Sequence, residues 1–290
     1  MRKSVAAPLI FLAFLVLVLA VYFLVERPAH RPAGRPEKTP DVSGVPARPS
    51  APGVSPDVNA RRKAAASRRP GATAKAAVIM DDLGNNLDAV RALIALGKPV
   101  TAAILPFAPV TSETARAARE AGLEIILHMP LESIAAKELN PGRISGGMSG
   151  EEVRSRVEAC LDQVPGCRGA NNHEGSKVTE DPVLMSLILD VLKERGLYFI
   201  DSRTTRDSVA YETARRIGIR AATRRVFLDE QADDNAIRAR LEELFSAAKE
   251  HGTAIGICHP KRETFAALEK YLGLAERTGV ALVFASEIVD

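Results

Sequence analysis

The feature that most constrains the fold is an alternation that runs from residue 76 to the C-terminus at residue 290. Short apolar runs occur at Ala76–Met80, Val100–Pro106, Leu123–Met129, Arg168–Asn171, Leu197–Ile200, Arg220–Leu228, Thr253–Cys258 and Val280–Ala285. Between them lie stretches of helical periodicity near Leu87–Leu96, Ser112–Ala121, Gly150–Gln163, Asp181–Arg195, Ala210–Ile217, Asp234–Glu250 and Arg262–Thr278. Strands that are almost continuously apolar are covered on both faces, and the helices between them are the crossovers that a parallel sheet needs. Seven or eight such units predict an α/β fold, a distorted or incompletely closed (β/α)7-8 barrel, rather than a flat doubly wound sheet. No Gly-x-Gly-x-x-Gly follows the first strand, which argues against a dinucleotide fold.

The first 75 residues have a different texture. Met1-Arg2-Lys3 precedes an uncharged run from Ser4 to Val25. About twenty apolar residues cross the ~30 Å hydrocarbon layer as a helix, so residues 1–25 are expected to form an N-terminal transmembrane anchor. A cleaved signal peptide is the rival reading. Its apolar region would be shorter and would end in small residues, whereas Tyr22-Phe23-Leu24-Val25-Glu26 follows here. Arg2 and Lys3 favour a cytoplasmic N-terminus, against the pull of Arg27, Arg31, Arg35 and Lys38 beyond the span. Residues 26–75, rich in Pro, Ala and Arg, lack apolar periodicity and are expected to be a disordered linker. The domain at 76–290 is thereby expected on the periplasmic or extracytoplasmic side of the inner membrane.

Charge divides at the same boundary. Residues 1–75 hold 13 Lys/Arg against 4 Asp/Glu (+9), leaving 26 against 32 (−6) for residues 76–290. The body offers neither a basic face nor stacking aromatics, with no Trp and 4% aromatic residues, so nucleic acid is excluded as a partner. Three cysteines without a Cys-x-x-Cys pair exclude a disulfide scaffold and a structural zinc knuckle, leaving a Cys160–Cys167 pairing in an exported protein as an option.

Reactive groups in such barrels stand at the C-terminal ends of the strands. The residues there are Asp81-Asp82, Phe107, His128 with Glu132, Asn171-Asn172-His173, Asp201-Ser202-Arg203, Asp229, His259-Pro260 and Ser286-Glu287. Asp229 alone reads as a cap for the next helix, as do Asn85 and Asn86 for the first. Three of the five histidines and a carboxylate pair at one rim read as a metal or catalytic site. Asp82, His128 and His173 supply three ligands for a divalent ion, zinc being the best match, with a fourth position open for water. In extended backbone Asp81 and Asp82 would alternate, one on the metal and one facing the water. Asp81 is then the general base, and protonated His259 stabilises an oxyanion or protonates the leaving group.

Five segments, "IMDDLGNN", "LHMPLES", "GANNHEGSKVTED", "FIDSRTT" and "GICHP", appear in an order that resembles the divergent, YibQ-like branch of the polysaccharide deacetylase superfamily. The resemblance covers residues 76–290 and implies a NodB-like distorted barrel and a metal-dependent hydrolase that deacetylates an envelope polysaccharide or glycan. It implies Asp81 as base and Asp82 as ligand. Where the main branch has His-x-x-x-His, this chain has His128 and then Glu132; where the main branch has an arginine, it has Asn171. The resemblance therefore suggests that His173 takes the vacated ligand position. Glu132 is left as an alternative carboxylate ligand or as a partner behind the ligands. It also implies His259 on the acid side and Asp201 as an orienting acid. Asn171 and Asn172 are read either as substrate contacts or as turn-closing amides, and Arg203 either as an anion clamp or as a salt bridge to Asp201 or Glu132. The alternative function is a membrane-tethered carbohydrate- or metal-binding module without catalysis.

Overall fold

The structure, a computed structural model, describes residues 73–135 and 140–290. The expected anchor at 1–25 lies outside them, as does the expected linker except for its last three residues, of which Ala74 and Lys75 already belong to a strand. Among the described residues no helix is long and apolar enough to cross a membrane.

Nine strands form one sheet in which every pairing is parallel. They are β1 (Ala74–Leu83), β2 (Val100–Ile104), β3 (Ile125–Leu131), β4 (Gly169–Glu174), β5 (Tyr198–Asp201), β6 (Ala221–Thr223), β7 (Val226–Phe227), β8 (Thr253–Cys258) and β9 (Val280–Leu282). Eight of them run in the order β6-β5-β4-β3-β2-β1-β8-β7. β9 pairs with Ala74–Ala76 of β1, on the side that β2 takes over from Val78. The helices are α1 (Leu87–Ala95), α2 (Thr111–Glu120), α3 (Gly150–Gln163), α4 (Pro182–Glu194), α5 (Ala210–Ile217), α6 (Asp234–His251), α7 (Arg262–Tyr271) and α8 (Leu274–Arg277).

Two expectations are corrected. The single strand anticipated over Arg220–Leu228 is two half-strands, the first paired with β5 and the second with β8. One segment thus bonds to both edges of the sheet in succession, with Arg224 N reaching Asp201 O and Arg225 N reaching Ile255 O. The sheet is therefore curled into an incompletely closed barrel. The long final helix anticipated over Arg262–Thr278 is broken after Tyr271 into α7 and α8.

Strand alternation sorts the side chains into two cores. Outward-facing Val78, Met80, Leu127, Met129 and Phe199 pack beneath the helices, with Val90, Leu93, Ile188 and Leu241 among their partners. Inward-facing Ala77, Ile79, Ile126, Ile200, Ile255 and Ile257 fill the barrel, and Val283, Ala285, Ile288 and Val289 close its floor. Cys258 faces outward and is buried. All three cysteines are free, so the optional Cys160–Cys167 bond is not formed; burial pushes their thiols up to about 12 and about 11 respectively.

The floor is tied by one carboxylate. Glu124 Oε1 accepts from Thr101 Oγ1 (3.1 Å), Tyr198 OH (2.8 Å) and Ser286 N (3.1 Å), while Ala285 N donates to Thr101 Oγ1 (3.0 Å). The ring of Tyr198 reaches Glu124 by lying across its strand neighbour Gly169, where a Cβ would stand 2.5 Å from two ring carbons. Gly169→Ala must therefore displace the ring and loosen the floor. An overpacked core position costs about 1–3 kcal/mol, and the expected loss of that size is read from the urea midpoint of the variant.

Candidate metal centre and active site

The rim opposite this floor gathers the polar residues. β3 turns Ile126 and then His128 inward, and β4 turns Asn171 and then His173 inward, with His128 in register beside Asn171. β8 ends inward-facing Ile255 and Ile257 with His259. Each imidazole is thus delivered by ordinary alternation, His128 and His259 one step above the apolar plug and His173 one step above Asn171.

The first strand breaks that rule. Its register with β2 shifts between Met80 and Leu83, and Asp82 has a left-handed backbone, φ 58°. This β-bulge re-aims a side chain that alternation would turn outward. The expected opposite placement of Asp81 and Asp82 is therefore corrected: both carboxylates approach His128 Nε2, at 3.6 Å from Asp81 Oδ2 and 3.1 Å from Asp82 Oδ1. Phe107, Glu174 and Arg203, also at strand ends, are the other non-glycine residues with positive φ among those described. Such backbones cost of order 1–3 kcal/mol each and collect where function holds them.

Three atoms meet in a nearly equilateral triangle. Asp82 Oδ1 is 3.1 Å from His128 Nε2 and 3.0 Å from His173 Nδ1, and the two nitrogens are 3.1 Å apart. Asp82 Oδ1 is buried, at hydrogen-bonding distance from both rings yet in hydrogen-bonding geometry with neither. Ligands held 2.0–2.1 Å from a tetrahedral zinc stand ~3.3 Å apart, so the donor set fits a divalent ion with three protein ligands. This is the one group of three or more potential metal ligands among the described residues.

Asn171 sets the ring state of His128. A carboxylate only accepts, so Asn171 Nδ2 must be the group that faces Asp81 Oδ1 at 2.8 Å. Asn171 Oδ1 then faces His128 Nδ1, also at 2.8 Å, and that nitrogen must carry the hydrogen. The neutral ring is left with its lone pair on Nε2, inside the triangle, which is the usual role of a partner behind a metal-bound imidazole. Burial opposes charge on His128, yet Asp81 and Asp82 raise its pKa to about 9. Burial likewise opposes charge on Asp82, but the close imidazoles of His128 and His173 hold its carboxyl well below the usual range. The pocket therefore favours positive charge beside Asp82, which a proton or a divalent ion can supply. Asp81, fully buried, is instead pushed above the ordinary carboxylate range by desolvation, against the opposing pull of His128 and Asn171.

His259 stands across the mouth, its Nε2 3.9 Å from Asp82 Oδ2. Its Nδ1 is 3.1 Å from Asp229 Oδ1, and its backbone N donates to Asp229 Oδ2 at 2.9 Å. Burial disfavours the imidazolium, but the bond to Asp229 and the charges of Asp82, Asp229 and Asp81 overcome it and raise the pKa. The cap reading of Asp229 is thus corrected: α6 is capped by Asp233, while Asp229 is fully buried and orients His259 with Thr264 and Lys261. The signal available in the sequence was that Asp229 and His259 end neighbouring strands.

The remaining expected residues lie further out. Glu132 is not among the converging ligands. Its carboxylate accepts from Gly146 N (2.8 Å) and Lys177 Nζ (2.9 Å), which hold it at a loop base, and the alternative-ligand role is not what the geometry gives. Asn172 bonds Glu174 O and Ser202 N and also lines the cavity over the triangle, while Asn171 is fully buried and bonds His128, Asp81 and Ser202. Asp201 turns outward and shapes the loop that carries Arg203, through Ser208 Oγ (2.7 Å) and Arg203 N (2.8 Å). Asn86 caps α1 through Ala89 N, as expected. A cavity of about 340 Å³ opens over the triangle, walled by Asp81, Asp82, His128, His173 and His259 and by Arg203, Arg224 and Phe227. Arg224 was not anticipated. A second cavity of about 430 Å³ shares Asp82, Phe227 and His259 and continues toward Asn85, Asn86 and Lys261.

Comparison with known proteins agrees with this picture. Residues 78–289 match the family model described as divergent polysaccharide deacetylase. An uncharacterised protein of Haemophilus influenzae (strain ATCC 51907 / DSM 11121 / KW20 / Rd) is 35% identical over 198 residues, covering 68% of this chain and 71% of that protein. The uncharacterised protein YibQ of Escherichia coli (strain K12) is 29% identical over 196 residues, covering 68% of this chain and 61% of its own length. The crystal structure of the uncharacterised protein ATU2773 from Agrobacterium tumefaciens C58 superposes with a TM-score of 0.72 at 22% identity, over 79% of this chain and 94% of that one. A likeness at that identity establishes the fold.

The triangle predicts a separation by metal content. Zinc measured by mass spectrometry after dialysis should be lost, at least tenfold in affinity, from Asp82→Ala, His128→Ala and His173→Ala. It should be retained by Glu132→Ala. Full retention by His173→Ala would remove that residue from the centre.

Proposed function

The chain belongs to the divergent polysaccharide deacetylase family, and from that premise we propose that it is a metal-dependent hydrolase that deacetylates an envelope polysaccharide or glycan. The observation that carries this reading is the convergence of Asp82, His128 and His173 between two further titratable groups, Asp81 and His259. Burial raises the pKa of Asp81, which makes its carboxylate a stronger base, while Asp229 and the site carboxylates raise that of His259 against burial, which keeps its acid form to higher pH. The substrate class rests on the family alone.

A divalent ion at the triangle, zinc by donor chemistry, would polarise the acetyl carbonyl and acidify the attacking water. Asp81 takes a proton from that water as it adds to the carbonyl carbon. Asn171 keeps the Asp81 carboxylate turned to the reacting centre while fixing the ring of His128. His259, held through Nδ1 by Asp229, presents Nε2–H to the developing oxyanion and then to the leaving amine or alkoxide. One water is consumed, the acyl bond breaks, and acetate and the free amine or hydroxyl leave. The cavity is within the size range of small-molecule sites, and its continuation past His259 leaves room for a chain rather than a single sugar.

The uncharged run at Ser4–Val25 supports a further part of the proposal, that the domain is tethered to the inner membrane and works on its extracytoplasmic side. A zinc-loaded protein without turnover would instead be the tethered binding module.

Two measurements test the chemistry. Asp81→Asn, which keeps shape and removes the base, should lower acetate release from acetylated glycans about 10²–10⁴-fold. Equal turnover would rule out the assigned base. For His259, a raised pKa keeps the acid form to higher pH, and activity is lost as pH rises through that pKa. Asp229→Asn removes the partner that raises it, so the alkaline limb of the rate profile should move to lower pH.

A further inference from the structure

The cavity has a cationic wall that the proposed chemistry does not use. Arg203 and Arg224 both line it, although the body at large carries an excess of acid. Neither guanidinium forms an ion pair within 4.0 Å with Asp81 or Asp82, and Asp81 attracts Arg224 only from longer range. Arg203 has one carboxylate neighbour, Asp201 Oδ2 at 3.8 Å, and Arg224 has none at that distance among the described residues.

Backbone carbonyls pin both instead. Arg224 donates from Nε to Ser202 O (2.6 Å) and from Nη2 to Arg203 O (2.8 Å), and Arg203 donates from Nη1 to Ser208 O (3.3 Å). The guanidinium of Arg224 lies over Phe227, 5.2 Å from the ring centre, and the same ring meets His259 edge-on at 5.3 Å. These contacts account for the placement of the two side chains and leave Arg224 Nη1 and Arg203 Nε and Nη2 without acceptors among the described residues. Arg203 is held in place by a left-handed backbone, φ 50°. Burial disfavours charge on Arg224, yet a guanidinium stays cationic, so two like charges share one partly enclosed wall. Rigid guanidinium donors with free N–H groups are the usual receptor for carboxylate and phosphate.

We propose that Arg203 and Arg224 bind an anionic substituent, carboxylate or phosphate, on the sugar that enters the cavity, so that the substrate is an acidic glycan. The inference rests on the reading of the site as a glycan deacetylase, and it adds the charge class of the substrate. Arg224, in the segment that joins β6 to β7, grips the loop after β5, and its neighbour Phe227 touches His259, so the anion would be read next to the acid side of the reaction.

The test is equilibrium binding, which does not require turnover. Full-length protein is titrated calorimetrically with three N-acetylated oligosaccharides: one with alternating uronates, its carboxyl-reduced neutral counterpart, and a phosphorylated neutral one. Each titration is run with zinc bound and after chelation, to separate ligation of the anion by metal from capture by arginine. At least a tenfold preference for an acidic oligosaccharide over the neutral one is expected in both states, with the stronger of the two acids identifying the substituent. That ratio should fall toward one in Arg203→Ala and in Arg224→Lys. The second variant keeps the charge and loses the fork, and thermal melting checks that it folds. No preference in the wild type, or a preference that survives both substitutions, overturns the proposal. If the protein binds the acidic oligosaccharide with this preference and releases no acetate, the deacetylase reading fails while the arginine wall stands.

Discussion

Neighbouring carboxylates on an extended strand normally face opposite sides of the sheet, and the site depends on the local break in that rule at Asp81 and Asp82. The β-bulge with its left-handed Asp82 brings both groups to His128, where the proposed mechanism uses one as ligand and the other as base. Five hydrogen-bonding and charged groups then hold one another in place. Asn171 bridges Asp81 and His128, and His128 turns Nε2 toward Asp82 and His173. A straight strand would turn one carboxylate into the apolar layer under the helices, where an unpaired charge is costly.

The barrel supports this by dividing its two ends. At the floor, Glu124, Thr101 and Tyr198 lock the C-terminal segment against the strand starts, so the apolar plug is sealed from below. At the mouth, the strands deliver His128 just above Ile126 and His259 just above Ile257, so these imidazoles are held away from bulk water on one side. The segment from β6 to β7 leaves the barrel incompletely closed. Its hydrogen bonds pass from β5 to β8 around Arg224 and Arg225, which puts Arg224 on the cavity wall beside Phe227. Incomplete closure and the place of Arg224 on the cavity wall are thus consequences of one stretch of chain.

Much of this was legible in the residues. Apolar runs and helical periodicity placed the strands and helices within a few residues, and position at strand ends singled out Asp81, Asp82, His128, His173 and His259, which the structure brings together. What was hidden depended on events that leave no periodic trace. Alternation suggested that Asp81 and Asp82 diverge, because a bulge is a one-residue change in register. Asp229 looked like a cap because the residue that it serves is thirty positions away and meets it only through strand pairing. Glu132 was left between a ligand and a partner behind the ligands by analogy of spacing, and its carboxylate instead bonds Gly146 and Lys177, residues distant in sequence. Arg224 sat inside what reads as a single strand and was visible only once that strand divided.

The central claim is that Asp82, His128 and His173 form one metal centre, with Asp81 beside it and not in it. The most direct measurement is anomalous scattering at the zinc edge from crystals of the protein grown with zinc. The account predicts a single strong peak about 2.0–2.2 Å from Asp82 Oδ1, His128 Nε2 and His173 Nδ1, with Glu132 still bound to Lys177. A peak coordinated by Glu132, or none within reach of His173, would contradict it.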